Sequence, residues 1–267
     1  MFQFTVVNLK PKRIPPALIT SIAALSLTRD EQKDLSTRLE KVGVGMREVE
    51  LMSRIAYDGK SPFAERVNMA VGGPKASETL LGYAGVKRIA NEWYRCKRSG
   101  LIRLARAIAD TNNSSNARSE WKARAYWFEF CATFWKAIRN VVGEELWQKQ
   151  AGNNLFVASN LWSLQESILA TLDRYPHKMW ELPTSLSTPE RSEKLQAILA
   201  QYTTELMNYF PPALWTAAWH SDYKQNATND KRLKLVKRFD EFIGQGSGSS
   251  IGYWKGWDNS PILKGDQ

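Results

Sequence analysis

This sequence has few of the residues that most often bind metals or form disulfides. Of its 267 residues, two are cysteine and two are histidine. Cys96 and Cys131 lie far apart within helical patterns, and neither they nor His177 and His220 have the spacing of a metal-binding pair. The sequence therefore predicts no metal site and no cofactor. It also predicts cysteines that fill core positions in a reducing compartment.

The motifs typical of catalysis and nucleotide binding are also missing from the sequence. GGPKAS at 72–77 lacks the glycine spacing of a phosphate-binding loop and predicts a turn instead. There is no HExxH or CxxC, and the one GxSxG match, GSSIG at 248–252, lies in the Gly/Ser-rich C-terminal segment rather than at the strand-to-helix turn that this motif requires. Ser221 and Asp222 directly follow His220, whereas a catalytic triad needs residues that converge from separate elements. An enzymatic function therefore has no visible constellation of residues to support it, and no catalytic residue is assigned.

No apolar stretch of the sequence is long enough and free enough of charge to span a bilayer, and no signal sequence opens it. We therefore expect a cytoplasmic protein without a membrane partner. Positive charge and tryptophan are in excess, with 37 Lys and Arg against 27 Asp and Glu, a net charge of +10, and 11 Trp. A basic balance of this size favours polyanionic partners, with general solubility as the simpler explanation.

Hydrophobic spacing predicts a mainly α-helical, multi-helix protein with a small β element near the N-terminus. Strands fit at 3–8 and around Val67–Val71, and these two are candidates to pair. From Ser77 onward nearly every segment has helical spacing, and 121–141 is the strongest amphipathic pattern. The predicted organisation is a strand-helix-strand part at 1–76, a helical core region at 77–175 and a C-terminal helical region at 176–267, which ends in a Gly/Ser/Trp tail.

Two capping boxes mark predicted helix starts. Thr28 is followed three residues later by Glu31, and Ser187 by Glu190. In such a box the hydroxyl accepts from the backbone of the third helical residue, and the carboxylate accepts from the backbone of the cap. Pro189, in the first turn of the second helix, fits the same start signal.

A first basic cluster lies at 86–106, VKRIANEWYRCKRSGLIRLAR. Arg88 and Arg95 are seven residues apart and share a helix face, with Trp93 between them as a ring that can stack on a base. A solvated helix face with Trp93 in the core explains the pattern equally well. The residues assigned to nucleic-acid binding here are Lys87, Arg88, Trp93, Arg95, Lys97, Arg98, Arg103 and Arg106.

A second basic cluster, KRLKLVKRF, lies at 231–239. Its apolar residues Leu233, Val236 and Phe239 recur every three positions and predict a core-facing stripe, which turns the charges toward solvent. A solvated face is the favoured interpretation of these charges. Lys234 and Lys237 are the residues assigned to nucleic acid if the cluster binds it.

The C-terminal segment GQGSGSSIGYWKGWDNSPILKGDQ has no regular hydrophobic period. It carries Trp254, Lys255 and Trp257 close together. Two interpretations fit these residues. Either the residues add aromatic contacts to a nucleic acid, or they pin the C-terminus to the core, and the sequence does not separate the two.

Two short motifs carry a resemblance to a known family. FTVVNLKPKRIPPALI at 4–19 matches a strand F-x-V-I-N followed by a basic loop x-x-V-P-x-x-L-I, and SPFAERV at 61–67 matches S-P-F-x-x-R-I. In these motifs, residues 2–90 resemble the second half of the DGQHR-domain family, which includes the DndB-like proteins of DNA phosphorothioation clusters. The matching positions are Asn8, Pro15, Leu18, Ile19, Ser61, Pro62, Phe63 and Arg66.

The Asp-Gly-Gln-His-Arg motif and the first half of the family's domain are missing, so the family's nucleotide-dependent activity does not carry over. The resemblance implies the remnant of an α/β ParB-like domain, whose strand at 3–8 pairs with a protein partner or a second copy. Together with the basic composition, it makes a non-catalytic DNA-binding component of a DNA-modification or anti-phage defence system the leading expectation. The alternative is a scaffold or regulatory subunit whose basic surface binds an acidic protein partner.

Overall fold

A computed structural model describes the chain over residues 27–28, 30–31, 34–35, 49–64, 66–69, 81–95, 99–109, 124–148, 153–172, 182–183, 185–224 and 228–264. These residues are mainly α-helical, as predicted. The α-helices are α1 Val49–Tyr57, α2 Tyr83–Arg95, α3 Ser99–Ala109, α4 Trp127–Val142, α5 Glu144–Gln148, α6 Ala158–Thr171, α7 Thr188–Met207, α8 Ser221–Lys224 and α9 Asn229–Gly246. Short 3-10 turns lie at Arg124–Tyr126, Pro212–Trp215 and Trp257–Asn259.

A small parallel sheet pairs strand β1, Val67–Asn68, with strand β2, Leu81–Gly82. The strand predicted around Val67 is confirmed, but the prediction that the chain is helical from Ser77 is wrong at β2. Leu81 is buried there beside Val67, and leucine's good helix propensity gives no sign of an extended partner. The candidate partner at 3–8 lies outside the described residues.

The chain divides into two compact units, residues 1–90 and 91–267, with the division inside α2. In the first unit, α1 packs against β1 and buries Met52 and Ile55 among other residues. The boundaries predicted near residues 76 and 175 fall outside the described ranges, and they stay predictions.

In the second unit, α4 packs against α5 and α7. The amphipathic helix predicted from residue 121 begins at Trp127, because Arg124–Tyr126 forms a 3-10 turn in which Ala125 is exposed. The predicted apolar face is confirmed at Phe128, Ala132, Trp135 and Ile138, and the buried side of α4 is broad, while Lys136 and Asn140 on the opposite side are exposed. Several large side chains are buried on this helix. These include Trp127, Phe128, Phe130, Phe134, Trp135 and Ile138. Cys131 is buried on the same helix, and burial raises the pKa of its thiol.

Both predicted capping boxes are confirmed. Glu31 Oε2 accepts hydrogen bonds from the Thr28 backbone N–H at 2.8 Å and from its hydroxyl at 2.7 Å. Glu190 Oε2 accepts the equivalent pair from Ser187 at 2.8 and 2.7 Å. These bonds hold the pKa of both carboxyls below its usual value. The second box therefore starts α7, which packs against α3 and α4.

Candidate nucleic-acid interface

Helix α9 carries the second basic cluster and has a clear start. Thr228 has an extended backbone and caps the helix, since its side-chain oxygen accepts from the Lys231 backbone N–H at 3.4 Å. From there α9 packs along α6 and contacts α8. Leu235, Phe239 and Phe242 are fully buried and fix how the helix is rotated about its axis.

That rotation corrects the predicted core-facing stripe of α9. Leu233 is 46% exposed, whereas Leu235 and Arg232 are buried. The guanidinium of Arg232 lies 4.2 Å from the ring centroid of Trp162, forms an ion pair with Glu166, and donates to Asn229 Oδ1 at 2.8 Å. One cation of the cluster therefore belongs to the α6–α9 contact and is not available to a ligand.

Three lysines of α9 remain on its solvent side: Lys231, Lys234 and Lys237, which we call the α9 lysine face. Among the described residues, no hydrogen bond or ion pair engages their ammonium groups. Arg238 differs, because it donates to Glu241 at 3.0 Å and to the Tyr223 hydroxyl at 3.4 Å. These bonds hold the pKa of Arg238 above its usual range. The prediction that Lys234 and Lys237 point to solvent is confirmed.

The first basic cluster does not present the predicted aromatic ring. Trp93 is fully buried, with its ring centroid 6.1 Å from that of Trp127 and 5.8 Å from that of Phe134. Its indole N–H donates to Gln165 Oε1 at 3.2 Å. Of the two interpretations of Trp93, the one that places it in the core is therefore right, and the prediction that it stacks on a base is wrong.

The cations of this cluster are largely engaged by the protein itself where they are described. Arg103 donates from Nη2 to the carbonyl of Leu172 at 2.8 Å, just after the end of α6. The ammonium of Lys87 lies 5.9 Å from the ring centroid of Tyr83. Arg88 is partly exposed and Arg106 exposed, and each has its own interactions within the structure. The side chains of Arg95, Lys97 and Arg98 lie outside the described part of the chain.

The residues of the SPF motif have structural roles in the first unit. The Ser61 hydroxyl donates to the Ile55 carbonyl at 2.6 Å and accepts from the Phe63 backbone N–H at 3.1 Å. Pro62 and Phe63 are buried, and the Arg66 carbonyl accepts from Leu81 N–H at 3.3 Å. The motif thus closes the turn between α1 and the sheet. Asn8, Pro15, Leu18 and Ile19, the other motif residues, are not among the described residues.

The C-terminal segment is pinned to the core, as one of its two interpretations holds. Trp254 packs edge-on against Phe242 of α9, with 5.8 Å between ring centroids. Ile262 is fully buried, and its carbonyl accepts from the His220 backbone N–H at 2.7 Å. The other interpretation stays open, since Tyr253 and Trp257 keep part of their surface exposed.

Other constellations give no site within the described ranges. No group of at least three His, Cys, Asp or Glu residues there is placed to hold a metal ion. His220 Nδ1 lies 3.9 Å from Asp222 Oδ2, and it accepts from the Asp222 backbone N–H at 3.3 Å, so the pair forms a local helix-start contact. No described helix is both long and apolar enough to cross a membrane.

Sequence reasoning missed two residues that organise this region. Gln165 and Arg232 are polar residues at core positions, and a pattern that counts only apolar residues passes over them. A signal existed for Arg232, because Leu235, Phe239 and Phe242 follow it at steps of three, four and three residues. For Gln165 no local signal exists, because its role depends on Trp93 and Trp135, which only the fold brings together.

No protein-family model, no curated protein and no solved structure matches this chain. The resemblance to the DGQHR-domain family therefore stays a prediction that rests on its short motifs.

Proposed function

We propose that this chain is a non-catalytic DNA-binding protein that contacts the phosphate backbone through the α9 lysine face. One observation carries the proposal. In the described part of both basic clusters, Lys231, Lys234 and Lys237 are exposed cations that the protein does not engage, whereas Arg103 and Arg232 are held by protein groups.

The spacing of the lysines fits a phosphate backbone. Each lysine follows the previous one by three residues, which puts neighbouring Cβ atoms about 5–6 Å apart. The face covers roughly 9 Å of helix axis, at a rise of about 1.5 Å per residue. Because each DNA strand carries a charge every ~3.4 Å, this length matches about three phosphates. Such contacts give affinity that is independent of DNA sequence.

The acids of α9 do not cancel this face. Glu241 is bonded to Arg238, and Asp240 Oδ1 accepts from the Ser167 hydroxyl at 2.6 Å. Asp230 lies in the first turn, where a carboxylate interacts favourably with the helix dipole. Lys231 lies in that same turn, where a cation is locally unfavourable. Helix stability therefore does not favour a lysine at this position, and this supports the proposal that the face contacts an anion.

The setting of this activity, a DNA-modification or anti-phage defence system, is supported by the resemblance at 4–19 and 61–67. Pairing of the strand at 3–8 with a protein partner or a second copy belongs to the same proposal.

The test compares two triple variants that remove the same charge. One carries Lys231→Gln, Lys234→Gln and Lys237→Gln, and the other carries Lys60→Gln, Lys136→Gln and Lys194→Gln at exposed positions elsewhere. Binding to two unrelated duplexes is measured by fluorescence anisotropy over a salt series. For the wild type we expect a log–log slope of roughly −3 or steeper, because the lysine face alone matches about three phosphates, and for the α9 triple a slope smaller by about 2–3, since each lost phosphate contact removes nearly one unit.

The scattered triple should keep a slope close to that of the wild type. Equal slopes for the two triples would contradict the assignment to α9. Absence of duplex binding at low salt would contradict the proposal itself. Co-elution of an acidic protein that survives nuclease treatment would then favour the scaffold alternative.

A further inference from the structure

The segment Tyr253–Trp257, which we call the aromatic segment, is attached to the core by one of its own tryptophans. Trp254 is seated on Phe242, with the ring centroids 5.8 Å apart. The backbone at Gly256 passes so close that an added Cβ would lie 2.8 Å from the Trp254 ring. Beyond the segment, Ser260 and Ile262 are buried. Trp254, itself partly exposed, therefore anchors the segment through its contacts with Phe242 and Gly256.

Two further aromatic residues lie beside this anchor. Tyr253 and Trp257 are partly exposed, and Lys255 between them is exposed. The Trp257 backbone N–H donates to the Trp254 carbonyl at 3.2 Å, so the anchor fixes the chain that carries the second ring. Aromatic rings that are held in place at a surface lose little conformational entropy when a flat ligand stacks on them.

The aromatic segment continues the row of cations on α9. Lys231, Lys234, Arg238 and Phe242 follow one another at steps of three, four and four residues, so they lie along one side of the helix. Of these, Lys231 and Lys234 are the unengaged cations, since Arg238 is bonded to Glu241 and Tyr223, and Phe242 is buried. Trp254 sits on Phe242 at the end of this row. The row covers roughly 16 Å of helix axis. Cations followed by exposed rings are the combination that binds single-stranded nucleic acid, where phosphates track the charges and unpaired bases stack.

We propose that the aromatic segment is a base-stacking site and that the chain binds single-stranded DNA in preference to duplex. This inference rests on the proposed function, since it gives the α9 lysine face a specific form of DNA. Phosphates lie along the lysines, and one or two unpaired bases stack on Trp257 and Tyr253. Bases inside a duplex are already stacked and cannot reach the rings, so the duplex gains only the phosphate contacts.

The test uses the full chain, an oligothymidylate of about 12 nucleotides and a duplex of the same length. The double variant Tyr253→Ala, Trp257→Ala should lower affinity for the single strand by roughly tenfold or more, because one stacked base is worth about that factor. Its affinity for the duplex and the salt slope for both forms should stay close to wild type. Tyr253→Phe, Trp257→Phe should restore most of the single-strand affinity, since the rings are kept.

Tyr57→Ala is the matched control, because Tyr57 is an aromatic residue 44% exposed in α1. It should change neither affinity. A second measurement needs no substitution: photocrosslinking of wild-type protein to a bromouracil-substituted single strand should map to residues 253–257. The inference would be overturned if the crosslinks mapped only to other segments, or if the alanine variant lost single-strand and duplex affinity equally. Either result would leave the proposed function intact as long as the wild type binds duplex DNA. If the wild-type protein bound neither the single strand nor the duplex, the proposed function would be overturned as well.

Discussion

At the scale of single residues, Gln165 organises the core of the second unit. Its side-chain oxygen accepts from the indole N–H of Trp93 at 3.2 Å and from that of Trp135 at 3.1 Å. All three residues are fully buried, so no water can replace a lost partner from the surface. One amide oxygen thus satisfies two indole donors that come from α2 and α4.

We therefore expect Gln165→Leu to destabilise the protein by about 2–5 kcal/mol. The leucine fills similar space but leaves two buried N–H groups unpaired, and each unpaired group costs about 1–3 kcal/mol. Urea unfolding followed by tryptophan fluorescence measures the change. Gln201→Leu, the same substitution at an exposed position of α7, should stay within about 0.5 kcal/mol. A loss at Gln165 no larger than that at Gln201 would show that the two indoles find other acceptors.

The same residues show what a sequence can predict about a single side chain. The spacing around Trp93 allows either a base-stacking ring or a core residue, and local sequence cannot decide between them. The decision lies in Gln165, Trp127 and Phe134, which are distant in sequence and meet Trp93 only in the fold. Trp93 was therefore wrongly assigned to base stacking because its surroundings are formed by residues that are distant in the sequence.

At the scale of elements, the start of α7 was predictable because its cap is local. Ser187 and Glu190 are three residues apart, and their hydrogen bonds depend on nothing beyond the first turn of α7. Which face of α9 is buried was not predictable in this way. Arg232 belongs to the buried face only because Glu166 and Trp162 on α6 receive it. Strand β2 was missed for a related reason: a segment of two residues is a strand only because it pairs with β1, and that pairing is not visible in its own sequence.

The ion pair between Arg232 and Glu166 gives a prediction for the contact between α6 and α9. Both side chains are mostly buried, at 9% and 16% exposed. Arg232→Met should therefore destabilise by about 3 kcal/mol, because it leaves the Glu166 carboxylate without its cation. The double variant Arg232→Met, Glu166→Met should recover most of that loss, since replacing both charges by apolar groups of similar size is often nearly neutral.

A double-mutant cycle in urea, with Lys237→Met as the exposed control on α9, measures this coupling. Additive effects of the two single substitutions would contradict it and would indicate that solvent reaches the pair. Either result bears on the α9 lysine face, because the ion pair and the buried Leu235 and Phe239 together set the rotation of α9.

At the scale of the whole molecule, the net charge of +10 acts at long range, whereas the α9 lysine face acts at contact. The field of all charges steers a polyanion toward the protein and so affects the association rate. Contacts within the complex determine mainly how long it lasts. Composition alone predicted the long-range part, but the contact part depends on which cations the fold engages, as Arg103 and Arg232 show.

These two contributions can be separated by the kinetics of duplex binding. The α9 triple and the scattered triple each remove three positive charges, so at low salt both should associate more slowly than the wild type, by a similar modest factor. The difference in association rate from the wild type should vanish as salt screens the field. Only the α9 triple should speed dissociation, by roughly tenfold or more, because it removes about three phosphate contacts from the complex. Stopped-flow anisotropy at several salt concentrations measures both rates. Faster dissociation in both triples alike would mean that the complex is held by diffuse charge rather than by α9, and the lysine face would then be only one part of a general basic surface.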